Sequence, residues 1–136
     1  MTRFLAPLAL VFLLTGCDTL GGDRGGLLGT WALAGATTAQ NAEVDAPVGS
    51  TIRFERNGFF GLSSVNGCGG AYVVRGERFW VSETACTLIG AAPEADLSQF
   101  MFQGGDSFGY SFNASGDLLV AVSSREAFLR LRFERE

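Results

Sequence analysis

The sequence predicts a mainly β domain: a small antiparallel barrel or strongly curved sheet with one helix inserted late. Three observations lead there. Short runs of alternating apolar and polar residues recur, with turn residues every eight to twelve positions. Asn57-Gly58 and Arg75-Gly76-Glu77 separate such runs and carry glycine where a tight turn needs it. One stretch only, from about Pro93 to Gln103, has helical spacing.

The elements follow in chain order. Leu27 to Ala34 alternates, with Leu27, Gly29, Trp31 and Leu33 on one face, and reads as the first strand with Trp31 as a core plug. Gly35 to Ser50 is small, polar and interrupted by Pro47, which predicts a long loop. Thr51 to Arg56 places Ile52 and Phe54 inward and Arg53 and Glu55 outward. Asn57-Gly58 then predicts a type I′ hairpin turn, and Phe59 to Val65 the return strand. Asn66 to Gly70 reads as a backbone turn; it lacks the lysine and hydroxyl residue of a phosphate loop. Tyr72-Val73-Val74 and Arg78 to Val81 form the next hairpin, Phe79 and Val81 on one face, Arg78 and Trp80 on the other.

Pro93 and Glu94 suit a helix start, Leu97, Phe100 and Met101 make an apolar face, and Gly104-Gly105 stops the helix. Phe108, Tyr110 and Phe112 alternate with Ser107, Gly109 and Ser111. After a turn at Ala114 to Asp117, Leu118 to Val122 is apolar on both faces and predicts a central strand. After a second turn at Ser123 to Glu126, Ala127 to Phe133 turns Leu129, Leu131 and Phe133 inward and leaves Arg130 and Arg132 as a solvated face.

Cys68 and Cys86 flank the Tyr72–Val81 hairpin, which draws its outer ends together, so a disulfide staple is the favoured reading over redox or metal use. Closing a loop of this size contributes about 3 kcal/mol in the chain-entropy model. The third cysteine, Cys17, has a different setting. Arg3 and the apolar run Phe4 to Leu14 have the form of a signal peptide and end in Leu14-Thr15-Gly16-Cys17. This resembles the lipobox of bacterial lipoproteins, with cleavage before Cys17 and acylation of its thiol and amine. The organisation is then a signal peptide at 1–16, the lipidated Cys17 and a Gly-rich tether at 17–26, and one folded domain at 27–136. Export places Cys68 and Cys86 in an oxidising compartment. The expected location is the bacterial cell envelope, anchored in a membrane and facing the periplasm. Asp18 after the lipid-bearing cysteine leaves the choice of inner or outer membrane open.

Composition narrows the function classes. The chain of 136 residues is 47% hydrophobic and carries 12 Phe, enough for a real core. Its formal charge is −4, and all ten cations are Arg. No basic face is available for nucleic acid. Without His or Lys there is no Ser-His-Asp arrangement, histidine metal site, Ser-Lys dyad or Schiff base. Of the carboxylates, Glu83, Glu94 and Asp96 sit in polar or helix-start contexts where solvation explains them. No catalytic residue, cofactor or metal is expected.

With these residues in place, the chain resembles the META family, which includes HslJ-like heat-shock lipoproteins. The matching features are Leu28-Gly29-Thr30-Trp31, Ile52-Arg53-Phe54 with Asn57-Gly58, and Asn66-Gly67-Cys68 with Gly70 and Tyr72. Glu83-Thr84-Ala85-Cys86, the helix with Glu94 and Phe100, and the closing Leu129 to Phe133 complete the set. Two departures stand out. Gly69 occupies a position where the family usually has Asn, and Ala85 stands where it usually has a basic residue and Met. The resemblance implies a β-barrel-like fold with a packed helix and a role in stress tolerance at the envelope, with no agreed enzymatic activity. The expected function is therefore a non-enzymatic, monomeric envelope protein that binds or supports another envelope component. Two alternatives are a barrel holding a small hydrophobic ligand, lined by Phe108, Tyr110 and Phe112, and a periplasmic protease inhibitor acting through an N-terminal segment.

Overall fold

A sheet of alternating strands can bury its apolar face, and lose its exposed edges, by closing on itself. The computed structural model, which describes residues 26–90, 95–102, 104–123 and 128–136, shows that closure. The strands are β1 (Gly29–Thr38), β2 (Glu43–Val44), β3 (Thr51–Phe54), β4 (Phe59–Ser63) and β5 (Gly67–Arg75). They continue with β6 (Arg78–Cys86), helix α1 (Leu97–Phe102), β7 (Ser107–Phe112), β8 (Leu118–Ser123) and β9 (Phe128–Arg135). Every pairing is antiparallel, and β1 pairs with both β3 and β9. The eight strands β1 and β3 to β9 thus form a closed barrel, with β2 as a short extra strand against the far end of β1. The expected signal peptide, Cys17 and most of the expected tether, together with Pro93, Glu94 and Gln103, lie outside the described residues.

The interior is filled by rings. Phe54 meets Phe60, Tyr72 and Phe79 edge-on at centroid distances of 5.1–5.4 Å. Phe79 stacks on Phe108 at 5.0 Å. Helix α1 touches β4 and β8, which stand on opposite sides of the eight-strand ring, so it lies across one mouth of the barrel. Its Phe102 meets Phe60 and Phe108 edge-on at 6.3 and 6.0 Å, closing the aromatic column. Trp31 is buried as a core plug, and its indole N–H donates to the Leu27 carbonyl at 2.8 Å.

Several sequence expectations need correction. The predicted loop from Gly35 is strand as far as Thr38, and β2 follows it. A bulge between Leu33 and Gly35 resets the inward face to Ala36, which hides the alternation from a reader of the sequence. The Asn57-Gly58 turn is not type I′, because positive φ falls on Gly58 alone. Gly58 N–H donates to the Glu55 carbonyl at 3.0 Å and Glu55 N–H to the Phe59 carbonyl at 2.9 Å. That pattern is a type I turn closed by a left-handed glycine.

Gly67 to Ala71 is strand, not a free turn, pairing with Phe59 to Ser63. A Cβ on Gly69 would stand 3.1 Å from the Phe59 ring, so a larger residue there requires that ring to shift. Strand β6 runs on to Cys86 through a bulge in which Glu83 adopts φ 54°. On the opposite strand, a Cβ on Gly70 would lie 2.6 Å from the Ser82 carbonyl oxygen, so the bulge and Gly70 require each other. A non-glycine residue held left-handed stores strain. Glu83→Gly is therefore expected to raise stability by about 1 kcal/mol. A thermal melt that moves down would contradict the strain.

The helix buries Leu97, Ser98 and Met101, with Phe100 only half-buried. The Phe108-Tyr110-Phe112 row divides: Phe108 is core, half-buried Tyr110 borders an open depression on the outer wall, and Phe112 is exposed beside Trp31. Strand β8 is not apolar on two buried faces. Leu118, Val120 and Val122 point in, while Leu119 is half-buried and Ala121 exposed on the outer wall.

Candidate functional site

The polar residues that organise one end of the barrel come from three separated stretches: the start of β5, the segment after β6, and the start of α1. Asn66 lies at their junction and is 5% exposed. Its Nδ2 donates to Asp96 Oδ2 at 2.6 Å and to the Ile89 carbonyl at 3.1 Å. Its Oδ1 accepts from the Ile89 N–H at 2.7 Å and from Thr87 Oγ1 at 3.3 Å. The side-chain amide thereby uses its full capacity of two donors and two acceptor sites. Asp96, an acceptor only when ionised, fixes which end of that amide faces it.

Asp96 is not solvated, as its sequence context suggested. It is 0% exposed and serves as the N-cap of α1, accepting from Ser98 N–H at 3.3 Å and Ser98 Oγ at 2.7 Å. Burial alone would raise its pKa. The four hydrogen bonds from the side chains and backbones of Asn66 and Ser98 outweigh that and hold the carboxyl below its ordinary value. The neighbouring helix N–H, that of Leu97, is taken by Ser64 Oγ at 2.9 Å. Among the described residues no buried side-chain nitrogen or oxygen lacks a partner.

A covalent link closes the same end. Cys68 and Cys86 form a disulfide, their Cα atoms 4.1 Å apart. They are directly opposed in β5 and β6. The next pair outward is hydrogen-bonded, with Thr87 N–H donating to the Gly67 carbonyl and Gly67 N–H to Thr87 Oγ1, both at 3.0 Å. The cysteines therefore occupy the narrow, non-hydrogen-bonded site of the ladder, where side chains approach most closely. The staple points to an oxidising, extracytoplasmic compartment.

The other sequence candidates do not join this cluster. Glu83 is exposed on its bulge, and Glu94 lies outside the described residues. Arg130 is exposed, while half-buried Arg132 pairs with Asp117 and Glu134. Among the described residues no group of three or more His, Cys, Asp or Glu could hold a metal ion. Depressions on the outer wall, one lined by Arg53, Phe59 and Gly61 and another by Glu77, Arg78 and Arg130, open to solvent. The Arg53 guanidinium lies 5.7 Å from the centroid of the Phe59 ring.

This barrel has a counterpart of known structure. The NMR structure of a protein from Burkholderia xenovorans matches it with a TM-score of 0.57, over 100% of this chain and 99% of that one, at 14% identity. At that identity the likeness is one of fold. No family model and no curated protein matches the chain.

Sequence reasoning found the cysteine pair and missed the partnership of Asn66 with Asp96. The two are thirty positions apart and neither lies on an alternating run. The only signal was the acidic residue immediately before a helical pattern, a capping cue.

Proposed function

We propose that this protein is a lipid-anchored component of the bacterial envelope, of META type, that acts by binding rather than by catalysis. The observation that carries the reading is Leu14-Thr15-Gly16-Cys17 at the end of an apolar signal-like run, ahead of a tether and a disulfide-stapled domain. The META assignment is supported by the ordered motif set. Asn66, Cys68 and Gly70 stand together at the start of β5, and the disulfide brings Cys86 to them. A stress-related role follows from that resemblance. The filled aromatic interior favours a surface, rather than the barrel lumen, as the place where a partner binds.

The test is mass spectrometry of the mature protein from a bacterial envelope. The expected N-terminal residue is Cys17 carrying acyl groups, and Cys17→Ala is expected to leave the membrane fraction. A mature chain with an unmodified Cys17 would overturn the anchor. Deletion that leaves heat, antibiotic and detergent tolerance unchanged would overturn the stress role.

A further inference from the structure

Leu88 is 97% exposed, the most accessible of the large apolar side chains described, and Ile89 beside it is 59% exposed. Apolar groups so displayed normally belong to slack chain, yet here the backbone on both sides is fixed. Cys86 is bridged to β5, and Thr87 is bonded to Gly67 through both its N–H and its hydroxyl. Ile89 is gripped at its N–H and its carbonyl by the one buried amide of Asn66. Thr87, Leu88 and Ile89 all have negative φ, and they belong to no helix or strand beyond Cys86. The fold spends a buried carboxylate, a buried amide and a disulfide on holding out one leucine.

We propose that Thr87-Leu88-Ile89 is a substrate-like loop that occupies and blocks the cleft of a serine endopeptidase whose primary pocket takes a medium-sized apolar side chain. This goes beyond the envelope reading and does not depend on the lipid at Cys17. A pre-fixed segment enters a cleft without the ordering cost that a flexible substrate bears, so it binds tightly. Leu88, free of intramolecular contacts that would have to be broken, fills the pocket as a central anchor.

The same clamp opposes turnover. The peptidase serine oxygen attacks the Leu88 carbonyl carbon. The Leu88–Ile89 C–N bond breaks, and the hydroxyl proton passes through the enzyme's base to the Ile89 nitrogen. The products are a seryl ester of Leu88 and a free amine on Ile89. In an ordinary substrate that amine diffuses away. Here Asn66 still holds the carbonyl and nitrogen of Ile89. The two pieces of chain also stay paired along the β6–β7 and β1–β9 seams of the closed barrel. The amine returns to the ester carbonyl, the amide re-forms, and the proton goes back to the serine.

A membrane surface is the weaker reading of the same leucine. Two apolar side chains give little insertion energy, and insertion needs no fixed backbone between them.

The test uses the full chain with its disulfide intact, assayed against chymotrypsin, subtilisin and pancreatic elastase, with trypsin as the basic-pocket control. Inhibition of at least one of the first three, and not of trypsin, is expected. Leu88→Gly is expected to weaken it by about 100-fold. Leu88→Arg is expected to move it to trypsin; a side chain this exposed can be changed without disturbing the fold. On long incubation the only cut is at Leu88–Ile89, and it stalls with intact chain remaining. Cys17→Ala inhibits equally, which separates this proposal from the anchor. Absence of inhibition in all three, complete cleavage at an ordinary substrate's rate, or inhibition indifferent to Leu88→Gly would each overturn it. So would Leu88-dependent binding to phosphatidylglycerol–phosphatidylethanolamine vesicles in the absence of inhibition.

Discussion

Asn66→Ala is expected to lower the unfolding free energy by about 3 kcal/mol, read as a shift of the urea midpoint without a change of slope. The size follows from what is left behind. Asp96 keeps its burial and the backbone N–H of residue 66 but loses the shortest of its four donors, the 2.6 Å amide, and a buried ionised oxygen left without that partner or water is costly. The Ile89 amide and carbonyl, on a 59% exposed residue, recover hydrogen bonds from solvent and add little.

Asn66→Asp separates charge from packing. It sets a second carboxylate against the oxygen that Asn66 Nδ2 now meets at 2.6 Å, so one of the two acids must hold a proton. The pH dependences then run in opposite directions. In the native protein Asp96 is held below its unfolded pKa, so its contribution is complete above about pH 4 and is lost as pH falls through the lower folded value. In Asn66→Asp the shared proton raises a folded pKa above the unfolded one. Stability then increases as pH is lowered from 7 towards 4. Parallel pH profiles for the two proteins would show that Asn66 and Asp96 are not in contact.

Removing the disulfide through Cys68→Ala with Cys86→Ala is expected to cost about 3 kcal/mol, or ~10–20 °C in Tm, in line with a loop spanning 18 residues. Reduction should reproduce the loss without mutation, because Cys86 is exposed to reductant. The barrel should survive it, since strand pairing closes the ring on both sides of the bridge. The disulfide and Asn66 restrain the same few residues. Combining the cysteine variant with Asn66→Ala should therefore cost less than the sum of the two. Strict additivity would mean that they stabilise separate regions.

The legible part of this fold is the part written in period two. Alternation alone puts Ile52 and Phe54, and Leu131 and Phe133, inward and groups Phe79 with Val81 on one face; all six are buried, while Leu129, inward by the same pattern, is half-buried. Cysteine arithmetic and a hairpin between the two thiols were enough for the bridge. What alternation cannot carry is a change of phase. The bulge at Leu33–Gly35 concealed the second half of β1, and the bulge at Glu83 concealed the second half of β6. Gly67 to Gly70 has almost no side chains to alternate, and its strand character shows only in its ladder with β4. Asp96 looked solvated because nothing local announces a partner thirty residues earlier. The site is the contact of segments that are each unremarkable alone.

The central claim is that a buried amide, steered by a buried carboxylate, fixes an exposed loop from within. Hydrogen exchange at the Ile89 amide tests it most directly. Ile89 is an exposed loop residue, yet its N–H donates to a 5% exposed Asn66 side chain at 2.7 Å. It should exchange as slowly as the amides of the neighbouring β5–β6 ladder in the native protein, and at the rate of open chain in Asn66→Ala. Open-chain exchange at Ile89 in the native protein would contradict the clamp.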